Sequence, residues 1–67
     1  MTKNQKVLFV IESEIAMNSR LAKYYEDEGK TDIANDYKHE NMGLAKAWRL
    51  FDDSELTDRM YESYKTE

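Results

Sequence analysis

Apolar residues in the first half of the chain recur alternately three and four positions apart, and the second half repeats that spacing in reverse. Leu8, Ile11, Ile15, Asn18, Ala22 and Tyr25 form one stripe; Ala34, Tyr37, Asn41, Leu44, Trp48 and Phe51 form the other. Such positions are the a and d sites of heptads on two helices. Taken as pairs from the outside inward, from Leu8 with Phe51 to Tyr25 with Ala34, their residue numbers share a constant sum. Two antiparallel helices joined by one tight turn would produce that pattern, with the turn near Gly29–Lys30. The fold expected is all-α: an antiparallel helical hairpin over about residues 3–28 and 32–51, then a short C-terminal helix over about 55–65. The chain is expected to be a single small helical domain.

Local signals support these limits. Thr2-x-x-Gln5 has the form of a capping box, in which the hydroxyl accepts a backbone N–H and the amide reaches back. Gly29 suits the left-handed residue that ends a helix. Thr31 or Asp32 is expected to cap the second helix, and Ser54 or Asp53 the third. Leu56, Met60 and Tyr64 lie four apart on one face of that third helix. Val7–Ile11 is rich in residues that favour strands, but a lone strand would have no partner, so helix is expected there. No proline interrupts any of these segments.

The layers alternate large against small near the turn, where Tyr25 is matched with Ala34 and Ala22 with Tyr37. Bulk closes the open end through Ile11 with Trp48 and Leu8 with Phe51. The middle layer, Asn18 against Asn41, is a register pair: a polar core residue costs stability and fixes alignment, and facing amides can hydrogen-bond each other.

A second stripe flanks the first. Val7, Val10, Met17, Leu21 and Tyr24 on helix 1 lie on the same side of the hairpin as Ile33, Gly43, Ala47 and Leu50 on helix 2. The third helix is expected to lie in this groove and cover the half near Val10, Met17, Ala47 and Leu50. Leu21, Tyr24 and Ile33 then stay uncovered, which points to a partner site or a dimer forming a helical bundle. Gly43 costs about 1 kcal/mol against alanine inside a helix, so close approach of another element is expected there.

Size and charge narrow the classes. With 67 residues the chain buries little core and needs support from disulfides, metal or association. It has no cysteine and one histidine, which leaves association. Fourteen acidic against ten basic residues give a net charge of −4, which disfavours generic nucleic-acid binding. No stretch is long and apolar enough for a membrane span or a signal peptide, so a cytoplasmic protein with no membrane association is expected. Leu21, Ala22, Tyr25, Gly29 and Ala34 resemble a single tetratricopeptide-type hairpin over about a third of the chain. Asn41 stands where that pattern expects a small residue and no proline ends helix 2, so the resemblance implies two helices meeting the same packing problem.

Candidate chemistry is sparse. Asp36-x-x-His39 could be half of a helical metal motif, but the facing residues Leu21, Ala22 and Tyr25 offer no further ligand. The serines are scattered, and no glycine-rich loop exists to cradle phosphate. No catalytic, cofactor-binding or metal residue is expected, and the protein is not expected to be an enzyme. The expected function is that of a protein-interaction module: a regulator, inhibitor or adaptor binding a partner protein or itself. The partner or dimer groove would comprise Val10, Met17, Leu21, Tyr24, Ile33, Gly43, Ala47 and Leu50. The alternative is a nucleic-acid-binding accessory protein using Lys38, Lys46 and Arg49 on the outer face of helix 2.

Overall fold

A computed structural model describes residues 1–65. Three helices follow in order: α1 (Lys3–Asp27), α2 (Thr31–Asp52) and α3 (Ser54–Lys65). The α1 and α2 helices pack along each other as the expected antiparallel hairpin. Val7–Ile11 is helical, and no strand occurs among the described residues.

Local rules account for the helix ends. Thr2 Oγ1 accepts the Gln5 N–H at 3.1 Å, and Gln5 Oε1 accepts the Thr2 N–H at 2.8 Å, so the capping box is complete. At the other end of α1, Gly29 adopts φ +76°, where an added Cβ would be strained. Its N–H donates to the Glu26 carbonyl at 3.0 Å and the Lys30 N–H donates to the Tyr25 carbonyl at 2.8 Å. This pair of bonds is a Schellman motif and satisfies carbonyls the helix end would orphan.

The α2 helix begins directly after the Schellman turn, at Thr31, one residue earlier than a cap at Thr31 would allow. Lys30 takes the N-cap position with no side-chain cap bond, and Thr31 and Asp32 fall inside the helix. The expected cap at Thr31 or Asp32 is therefore not formed. Asp32 instead sits in the first turn, where its charge complements the helix macrodipole. Between α2 and α3 the cap is Asp53, whose Oδ1 accepts the Leu56 N–H at 3.0 Å.

The inward stripes meet as predicted over most of their length. Ile11, Asn18, Ala22 and Ala34 are buried, while Leu8, Ile15, Tyr25, Tyr37, Asn41, Leu44 and Trp48 are half-buried. Ala22 and Ala34 lie beside a Tyr25–Tyr37 stack with ring centroids 5.9 Å apart and planes inclined by 6°. Phe51 departs from expectation: it is 47% exposed and does not close the open end. It belongs to the outermost layer, opposite Leu8, and no further layer of the hairpin closes over it because α2 ends at Asp52.

The third helix does not enter the groove. It touches α2 and not α1. The link residue Asp53 is extended, and the Thr57 hydroxyl donates to the Leu50 carbonyl at 2.5 Å, which pins the start of α3 to the end of α2. The result is a slab with Cα extents of 46 × 34 × 11 Å. Two stacked layers of helices would need a Cα thickness of at least about 13 Å, from axes 8–10 Å apart and a Cα radius near 2.3 Å. The chain is therefore one helix thick, whereas ordinary domains close a core between two layers.

Candidate functional surface

The slab has two broad faces of different character. One carries the polar flank of the hairpin. There the Trp48 Nε1–H donates to Glu12 Oε1 at 3.0 Å, and Asn41 Nδ2 donates to the Ile15 carbonyl and to Ser19 Oγ, each at 3.2 Å. Ser19 Oγ also donates back to the Ile15 carbonyl at 2.9 Å, so one carbonyl holds both groups. Lys38 and Glu26 form an ion pair between the helices, with both side chains roughly half exposed. These cross-helix bonds fix the register. A shallow hollow on this face is lined by Glu12, Ile15, Ala45, Trp48 and Arg49.

The register pair behaves differently from the expected facing amides. Asn18 is 3% exposed and its Nδ2 has no partner, while Asn41 Oδ1 is likewise buried and unpartnered. Asn41 spends its donor on α1 backbone and Ser19, so no bond links the two amides.

The opposite face is the second stripe. Val10 is 56% exposed, Met17 45%, Tyr24 58% and Ile33 40%. Leu21, Ala47 and Leu50 are half-buried, and Gly43 is exposed. A Cβ built on Gly43 meets nothing within 4 Å, so no element of this chain makes the close approach expected there. Since α3 stays off this face, Val10 and Met17 are open along with Tyr24 and Ile33. Phe9 and Met42 are exposed as well, at 57% and 70%.

Charged residues share the same stripe. Lys3 and Glu14 on α1 and Glu28 at its C-cap continue the three–four spacing of Val7, Val10, Met17, Leu21 and Tyr24, and Asp36 and Glu40 lie between Ile33 and Gly43 on α2. Lys3 and Lys6 line a shallow depression with Val7, Val10 and Ile11, which places both lysines at the open end of this face. The face is thus basic at its open end through Lys3 and Lys6 and acidic at the turn end through Glu28 and Asp36, with Glu14 and Glu40 between. Reading the stripe for apolar residues alone misses this polarity, although the same spacing contains it.

The alternative nucleic-acid residues do not form a uniform basic stripe. Lys38 is ion-paired with Glu26, Arg49 borders the hollow beside Glu12 and Trp48, and Lys46 is exposed on the outer side of α2. Among the described residues no group of three His, Cys, Asp or Glu side chains could hold a metal ion, and no helix is long and apolar enough to cross a membrane. No family model, curated protein or solved structure matches the chain.

Proposed function

We propose that this protein is a small interaction module of the cytoplasm that acts by binding, as a regulator, inhibitor or adaptor, and that its apolar face is the docking surface. The observation that carries this reading is the single-layer architecture. One helical layer leaves Val10, Met17, Tyr24 and Ile33 in water although a second layer would bury them. Covering apolar surface contributes about 25 cal/mol per Å². Two further features agree with a docking role: an open notch at Gly43, and charges arranged around the apolar patch.

The test is capture from cell extract by the immobilised protein, with and without nuclease, using two variants. Leu21→Glu places a charge between Met17 and Tyr24 on the apolar face, and Lys46→Glu changes the outer side of α2. The proposal expects binding that survives nuclease, is lost with Leu21→Glu and is kept with Lys46→Glu. Binding abolished by nuclease and by Lys46→Glu, but kept with Leu21→Glu, would transfer the function to the basic side and to nucleic acid.

A further inference from the structure

We infer that the occupant of the apolar face is a second copy of this chain, docked antiparallel so that the open end of one hairpin covers the turn end of the other. The inference rests on the docking role proposed above and adds the partner and its orientation.

The first argument is area. A compact monomer of 8.0 kDa exposes about 4,450 Å² by the mass scaling of folded proteins. This chain exposes 5523 Å². The excess is about 1,070 Å², and a stable interface takes about 800 Å² from each partner. The radius of gyration agrees: it is 15.2 Å, against about 10.9 Å for a compact chain of this length. The excess is shared between the open face and α3, which packs on α2 alone, and a second layer over the face would remove the first share.

The second argument is complementarity of the face with itself. Placing α1 antiparallel on α1 of a second copy, about its own midpoint, brings Lys3 to Glu28 of the second copy, Val7 to Tyr24 and Val10 to Leu21. Both ends are then matched in charge and the outer apolar layers in kind, twice over by the two-fold symmetry, while the two central layers set Glu14 beside Met17. Lys6 gains the acidic turn end carrying Asp36. Gly43 lies near the symmetry axis, where an added Cβ has no neighbour within 4 Å among the described residues outside its own helix turn and a second backbone can approach. A parallel arrangement would set lysine against lysine and acid against acid, which is unfavourable.

Charge reversal tests both partner and orientation. The pair Lys3→Glu with Lys6→Glu makes the open end acidic, and Glu28→Lys with Asp36→Lys makes the turn end less acidic. All four residues are exposed. Lys3→Glu and Glu28→Lys also favour the macrodipole of α1, so these variants keep the hairpin, as circular dichroism would verify. Sedimentation equilibrium of the parent from 1 to 100 µM should show a dimer. Each charge variant alone should dimerise about tenfold more weakly, and a mixture of the two should form heterodimers about tenfold more tightly than either forms homodimers. Dimers broken by Leu21→Glu but indifferent to the charge variants would overturn the antiparallel orientation. A parent that stays monomeric to 100 µM, yet captures a protein from extract in a Leu21-dependent way, would overturn the second copy as occupant while leaving the interaction module standing. A monomer that captures nothing would overturn both.

Discussion

The buried Nδ2 of Asn18 lacks a hydrogen-bond acceptor, and Asn41 Oδ1 on the facing helix lacks a donor. The two belong to the same layer of the hairpin, yet Asn41 is held by the Ile15 carbonyl and Ser19. A buried donor left unsatisfied costs about 1–3 kcal/mol. Asn18→Leu should therefore raise stability by about 1–2 kcal/mol, which in a domain of this size lifts the melting temperature by several degrees. Adding Asn41→Leu should raise stability further while loosening control of register and oligomeric state, because the bonds that pin Asn41 to α1 are lost. Thermal denaturation together with sedimentation checks both effects. A lower melting temperature for Asn18→Leu would mean that the amide finds a partner in solution.

Trp48 is the largest side chain of the hairpin interface, half-buried, with its indole N–H bonded to Glu12. Trp48→Ala should cost about 3 kcal/mol, the lower end for a large aromatic because part of the ring is already in water. Phe51→Ala should cost about 1 kcal/mol, less than Trp48→Ala, since nearly half of Phe51 is already in water. Urea denaturation separates the two. Equal losses would place Phe51 back in the core.

Glycines at two positions should respond in opposite directions. Gly29 holds φ +76° in the Schellman turn, so Gly29→Ala should destabilise by about 1–2 kcal/mol. Gly43 is helical with open space around it, so Gly43→Ala should stabilise the isolated hairpin by about 1 kcal/mol. In the proposed antiparallel dimer a second backbone comes near Gly43, so the same substitution should weaken association. Melting at submicromolar concentration reads the first effect and sedimentation the second. Gly43→Ala that strengthens both would show that nothing approaches this notch.

The parts of this fold legible in the sequence are those governed by neighbours along the chain. Thr2 with Gln5 and Gly29 obey rules that need only a few residues, and the inward stripes obey helical periodicity. The placement of α3 was not legible, because it depends on the backbone direction at Asp53 and on the Thr57 hydroxyl finding the Leu50 carbonyl. Periodicity likewise places Phe51 in the core without showing that α2 ends one residue later and leaves no layer beyond it. Facing amides at Asn18 and Asn41 were legible as a layer. Their bonding was not, since it turns on ångström-scale competition from Ser19 and Ile15. On the proposed docking face the apolar residues are legible by their spacing, and Glu14, Glu28, Asp36 and Glu40, which keep the same spacing, are legible only when charge is read along the stripe as well.

Methionine oxidation tests the central claim most directly, because Met17 lies on the proposed docking face and Met42 on the outer side of α2. Both are open in the single chain, 45% and 70% exposed. Exposure alone therefore allows hydrogen peroxide to oxidise them at rates within about twofold of each other. Docking through the apolar face buries Met17 and spares Met42. Mass mapping after a peroxide pulse should show Met17 oxidised about tenfold more slowly than Met42 at 100 µM, with the difference shrinking toward twofold on dilution. Oxidation of the two at similar rates across the whole concentration range would contradict docking of a second copy on this face.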